Sequence, residues 1–261
     1  MTMRITCLQI DVAFGDPEIN FTRVKSEFQR LFQTQKPDVV VLPELWSTGY
    51  DLSRLDEIAD DEGQKTQAFL STLAKKYHTN IVSGSIAKKS GNETFNTMYV
   101  FDRNGLCQGE YSKTHLFQLM NEHLYLSPGQ HKGDFTIEGQ ACAGFICYDL
   151  RFPEWIRKHT VSGAEVLFIV AEWPLVRLAH WRTLLISRAI ENQCYVVACN
   201  RTGTDPKNKF AGHSMIVDPW GEVVVEAGTE PIQMSGDIHL GKVSEARKKI
   251  PLFQDRRPEL Y

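Results

Sequence analysis

Three reactive side chains stand where apolar runs stop. Glu44 follows VVVLP, Lys113 closes GEYSK, and Cys147 ends AGFIC. In α/β proteins the ends of buried strands are where sites assemble, because the scaffold is rigid there and the loops admit ligand. A cysteine becomes a nucleophile near neutral pH when a base takes its proton and a nearby cation favours the anion. Acyl transfer also requires positive charge or N–H donors aimed at the developing oxyanion. Glutamate, lysine and cysteine together meet all three requirements. Taken singly, each has a plainer reading: Cys147 as an inert buried hydrophobe, Glu44 as a loop cap, Lys113 as a solvated hairpin charge. The gaps from 44 to 113 and from 113 to 147 are too long for local contact, so the fold must build any site from them.

The elements that would do so alternate along the chain. Residues 4–12 alternate as a strand, and 17–35 have helical spacing with Asn20 as a possible cap. The run at 39–42, halted by Pro43, reads as a strand buried on both faces. A helix is expected over 64–78, then a strand over 80–87, then a hairpin around Asp102–Gly105. The second half repeats the theme: a strand at 143–148, a helix over 153–162, a strand at 165–171, a helix over 179–193 and the strand CYVVACN. A second D-x-x-G hairpin then turns at Asp218–Gly221. This order predicts the α/β class, with sheets covered by helices in two similar halves, as one domain over 1–261. The tail from about 241 to 261 is expected to reach beyond that domain.

Composition narrows the function. Of 261 residues 42% are hydrophobic and 23% charged, and 29 basic against 32 acidic residues leave a net charge of −3. That balance argues against a nucleic-acid partner. No run of eighteen apolar residues occurs, so no membrane partner is expected. The N-terminal residues lack the pattern of a secretory signal, which predicts a cytoplasmic address and reduced thiols for the six cysteines. Neither a C-x-x-C pair nor H-E-x-x-H is present, so neither a metal nor another cofactor is expected.

PELW around Glu44, Y-x-K-x-H-L around Lys113 and CYDLRFPE around Cys147 resemble the three signature blocks of the nitrilase superfamily of carbon–nitrogen hydrolases. The resemblance runs through RAIENQ and AGHSMIVDPWGEV, nearly the whole chain. The passages EHLYLSPG, CYDLRFPEW and AEWP are similar to the omega-amidase branch, including hydrolases associated with bacterial methionine salvage. This implies a four-layer α-β-β-α sandwich of the nitrilase type, assembled as a homodimer. It also implies roles: Glu44 as base, Cys147 as the acyl-bearing nucleophile, Lys113 and the backbone N–H of Tyr148 as oxyanion donors, and Glu122 as a second glutamate that positions the lysine. The implied activity is hydrolysis of the terminal amide of a short monoamide such as 2-oxoglutaramate, a small-molecule substrate, with no cofactor. The alternatives are an N-carbamoyl hydrolase and a silent binding member of the superfamily.

Substrate contacts are read from AEWPLVRLAHW. Glu172 and Trp173 are expected at the pocket rim, with Trp173 as a wall. Arg177 is either a clamp for a substrate carboxylate or a loop arginine paired with a surface acid. Arg151 is expected to serve as a buried partner for a carboxylate. Phe117, Leu119 and Met120 are placed at the mouth, and Tyr50 and His180 are weaker candidates.

Overall fold

Alternation along the first strand decides the layering. In the computed structural model, which describes residues 2–260, β1 (Thr2–Gln9) turns Met3, Ile5 and Cys7 into one apolar core and Leu8 into another. α1 (Pro17–Thr34) packs Phe21, Val24, Phe28 and Leu31, one helical stripe, into the second core. Its cap is Asp16, whose Oδ1 accepts the Ile19 N–H at 3.1 Å. Asn20, the expected cap, is instead buried and holds Ala13 and Ser47. β2 (Val39–Val41) splits as β1 does: Val39 and Val41 face inward, Val40 outward.

The first sheet continues through the short α2 (Leu55–Ile58), β3 (Asp60–Asp61), α3 (Gln64–Tyr77), β4 (Asn80–Val82), β5 (Ile86–Ser90), β6 (Glu93–Phe101) and β7 (Cys107–Ser112). The strand expected over 80–87 is two strands, because the chain kinks at Gly84 (φ +64°) before continuing in the same direction along β6. A side chain could not fit there: an added Cβ would lie 1.9 Å from the Pro43 carbonyl oxygen.

The second half forms β8 (Asp134–Ile137), β9 (Gln140–Ile146), α4 (Pro153–Val161), β10 (Val166–Ala171), α5 (Leu178–Asn192), β11 (Tyr195–Asn200), β12 (Met215–Val217) and β13 (Val223–Glu226). β14 (Ile232–His239) then returns to the first sheet, antiparallel to β1, and α6 (Gly241–Lys249) follows. The sheets run β14-β1-β2-β4-β6-β5-β3, with β7 beside β6, and β13-β12-β11-β10-β9-β8. Each contains three parallel strands, β1-β2-β4 and β9-β10-β11, each extended by a hairpin, β6/β7 and β12/β13. The two halves therefore share one order. Inner faces of both sheets meet in one core, α1 and α3 cover the first sheet, and α4 and α5 cover the second with Ile156, Trp181 and Leu185. The result is the expected four-layer α-β-β-α sandwich.

Candidate active site

Glu44, Lys113 and Cys147 converge from three strands and both sheets. Glu44 lies three residues past β2, just before a left-handed corner at Leu45 (φ +41°). Lys113 directly follows β7. Cys147 directly follows β9 and opens a tight 3-10 turn, Cys147–Arg151, in the left-handed region itself (φ +47°). Such a backbone is rare for a residue with a side chain and costs about 1–3 kcal/mol. It swings the thiol out of the sheet plane.

The charged groups are fully buried. Lys113 Nζ donates to Glu44 Oε1 at 2.9 Å and to Glu122 Oε1 at 2.6 Å, all three side chains being 0% exposed. Glu44 Oε1 also accepts Asn96 Nδ2 at 2.8 Å, and its Oε2 accepts the Glu172 N–H at 2.8 Å. Glu122 Oε2 accepts the Phe117 N–H at 2.7 Å. The Tyr50 hydroxyl donates to Glu122 Oε1 at 2.5 Å and lies 3.2 Å from Glu44 Oε1.

One ammonium thus serves two carboxylates, and proton affinities follow from that. Burial alone would depress Lys113, but Glu122 and Glu44 hold it well above the ordinary lysine range. Glu122 is itself raised, by burial first; Lys113 pulls it back and Glu44 pushes it up. The partners point opposite ways because the lysine is shared. Burial, then Glu44, raises the Cys147 thiol well above its usual range, Lys113 acting the other way. Burial and the neighbouring Glu44 thus favour a thiol over a preformed thiolate at Cys147. Proton transfer to Glu44 must accompany attack.

The substrate-side expectations need correction. Glu172 and Trp173 are not at a rim; they are 1% and 2% exposed. They directly follow β10, deep between the sheets, where Asn200 Oδ1 holds the Trp173 N–H at 2.7 Å. The Glu172 carboxylate turns to buried Arg201, Oε2 to Nη1 3.2 Å, away from solvent. Among the described residues its Oε1 has no hydrogen-bond partner, and Arg201 also serves Asp11 at 3.0 Å. Burial accordingly raises the Glu172 carboxyl to about 8, Arg201 opposing and Glu44 reinforcing. This ion pair only partly offsets desolvation, so the raised value outweighs the close contact.

Trp173 carries a cation against its ring. The Arg151 guanidinium lies 4.7 Å from its ring centroid, near enough to Cys147 and Arg177 to feel their charges. Arg151 is thus not the expected buried partner of a carboxylate: its Nη2 is 3.3 Å from His180 Nδ1. Arg177 lies over the Phe117 ring at 5.7 Å and, among the described residues, forms no ion pair with an acid. Tyr148 packs on Phe117 at 4.6 Å, and its N–H stands at the start of the 3-10 turn, where the turn supplies no acceptor. Leu119 and Met120 line a neighbouring cleft with Tyr50, Asp51 and Asp205; Cys147 is not among its walls. Among the described residues no three His, Cys, Asp or Glu side chains converge as a metal shell would require. Asn96 and Arg201 escaped the sequence reading. Asn96 sits in an alternating strand, where its polarity was the one signal.

Residues 4–248 match the carbon–nitrogen hydrolase family. A 2-oxoglutaramate amidase of Bacillus subtilis (strain 168) is 53% identical over 261 residues, spanning all of both chains. An omega-amidase of Homo sapiens is 34% identical over 100% of this chain and 97% of its own. Among solved structures, a carbon–nitrogen hydrolase superfamily protein of Xanthomonas campestris with an arsenic adduct in its active site superposes with a TM-score of 0.92. It is 30% identical over 98% of each chain. Nit3 of Saccharomyces cerevisiae, of the nitrilase superfamily, gives a TM-score of 0.90 at 27% identity, covering 98% of this chain and 97% of its own.

Proposed function

From the premise that this chain belongs to the carbon–nitrogen hydrolase family, we propose that it hydrolyses the terminal amide of a short 2-oxo acid monoamide such as 2-oxoglutaramate. The observation that carries this reading is the buried Glu44–Lys113–Glu122 cluster set against a thiol on a left-handed corner. Glu44 takes the Cys147 proton as sulfur attacks the amide carbon. Lys113 and the Tyr148 N–H stabilise the tetrahedral oxyanion. Glu44 then returns the proton to the leaving nitrogen, ammonia departs, and a thioester remains on Cys147. Water, deprotonated by Glu44, attacks the thioester and releases the acid. Glu122 holds the lysine in place throughout.

Arg151 and Arg177 supply the positive charge that a substrate carboxylate requires, on the Phe117–Trp173 side of the thiol. A carbamoyl amino acid would also use such a clamp and is the second reading. Ammonia release across 2-oxo acid amides, carbamoyl amino acids and nitriles separates the two. The expected result is turnover of 2-oxoglutaramate with the acyl mass adduct on Cys147. Turnover of carbamoyl substrates alone would overturn the amidase reading.

We further infer a homodimer. Val161 on α4 and Ile250 and Leu252 beyond α6 line an open apolar cleft, with Val161 and Ile250 about half exposed. Sedimentation should give twice the 29.7 kDa protomer mass; a monomer at micromolar concentration would exclude it.

A further inference from the structure

The blocks around Lys113 and Cys147 carry polar residues that the reaction above leaves unused: Tyr111 and His115 flank the lysine, and Asp149 follows the nucleophile by two. These three interlock. Asp149 is fully buried and accepts four hydrogen bonds. Its Oδ2 takes the Tyr111 hydroxyl at 2.7 Å and the Ile146 N–H at 3.0 Å. Its Oδ1 takes the His115 N–H at 3.0 Å and lies 2.7 Å from His115 Nδ1. The His115 ring stacks on Phe152 at 3.7 Å, and Trp155 Nε1 donates to the Tyr111 oxygen at 3.2 Å. Every other tie of the lysine backbone runs elsewhere, to Asn96 and Gly129.

We propose that Asp149 is a positioning residue that fixes the height of Lys113 over Cys147, with Tyr111 and His115 as its two grips on the lysine segment. The geometry explains the spacing in both blocks. Tyr111 and His115 sit two residues before and two after Lys113, so both ends of the lysine segment are held by one carboxylate. That carboxylate is anchored by the Ile146 N–H to the residue preceding the nucleophile. A buried carboxylate with four donors is rigid, since losing any one leaves polarity uncompensated. Removing it frees the lysine segment to drift by a fraction of an ångström, which suffices to weaken oxyanion stabilisation.

The inference rests on the roles given above to Lys113 and Cys147. Asp149→Asn keeps the shape but places an NH2 against donors. It should lower kcat about a hundredfold, the scale for misplaced reacting groups, with KM nearly unchanged because no substrate contact is touched. Should that variant fail to fold, Tyr111→Phe and His115→Phe each remove one grip while keeping the ring. Each should lower kcat by about tenfold or less, again without moving KM. The decisive measurement is a cycle with Lys113→Ala, read by the rate at which iodoacetamide alkylates Cys147. If Asp149, or a grip, acts through the lysine, its loss should add little in the Lys113→Ala background. Fully additive losses, a raised KM at normal kcat, or wild-type kcat in folded single variants would overturn the proposal alone. Normal turnover in Lys113→Ala would overturn both this and the mechanism beneath it.

Discussion

At the scale of single residues, the proposed function divides the work of holding the substrate between two arginines. The Arg151 guanidinium lies 4.7 Å from the Trp173 ring centroid, and that of Arg177 5.7 Å from the Phe117 ring centroid. A charge-assisted contact to a carboxylate is worth about 1.5–3 kcal/mol, roughly ten- to a hundredfold in affinity. Arg151→Ala should therefore raise KM for 2-oxoglutaramate more than Arg177→Ala does, and neither should matter as much for an uncharged amide of equal length. Lysine at 151 should restore only part, lacking the planar fork. Equal effects on charged and neutral amides would return both arginines to structural roles. Glu172 makes a different prediction. Its proton affinity in the fold, about 8, exceeds the ordinary 4.5. Between those pH values the unfolded chain has released this proton and the folded chain has not. The associated stability is complete below about 4.5 and is lost as pH rises through 8. Glutamine has no proton to lose, so the Tm of Glu172→Gln relative to the parent should climb from pH 5 to pH 8. A constant difference would show that Glu172 is ionised throughout, paired to Arg201. That pairing was not legible beforehand, because Arg201 lies twenty-nine residues on, just past another strand. The rim position expected for Glu172 assumed that a polar residue after a buried strand faces solvent.

At the scale of elements, local rules read well and long-range ones did not. Both hairpins turn as their D-x-x-G sequences dictate. Asp102 Oδ1 accepts the N–H groups of Asn104 and Leu106, and Asp218 Oδ1 those of Trp220 and Glu222. These contacts span four residues, so spacing alone specifies them. The break at Gly84 lies in Ser83–Gly84–Ser85, and its packing against the distant Pro43 carbonyl is not visible in the local sequence. It leads to a test of the element that carries Glu44. Gly84→Ala would force a left-handed alanine, costing about 1–3 kcal/mol, and also push on Pro43, one residue from the base. Gly91 has a similar φ, +57°, with nothing near an added Cβ. Gly91→Ala should lose stability with normal kcat, whereas Gly84→Ala should lose both. Normal kcat in a folded Gly84→Ala would mean that the loop before Glu44 absorbs the displacement.

At the scale of the molecule, the proposed catalytic groups are divided between two sheets in nearly contiguous stretches of sequence. Glu44, Lys113 and Glu122 precede the exposed stretch at Gln130–His131, and Cys147, Glu172 and Trp173 follow it. The α/β class could be anticipated from strand order and the four layers from the family resemblance, but β14 could not. Its sequence, IQMSGDIH, carries little pattern, and its partner β1 lies at the other end of the chain. That strand crosses from the second half to complete the first sheet, pairing eight residues from Thr2 opposite His239 to Gln9 opposite Ile232. The crossing turns the enzyme into a natural two-part lock. Cut between Gln130 and His131, it would yield one fragment with a base and no nucleophile, and another with a nucleophile and no base. Each should be silent alone. Mixed, they carry their own latch in β14, so ammonia release should return with a concentration dependence that reports fragment association. Shortening β14 should weaken that dependence before it changes the turnover of the joined pair. Fused to two foreign proteins, the fragments would signal their meeting by the ammonia they release.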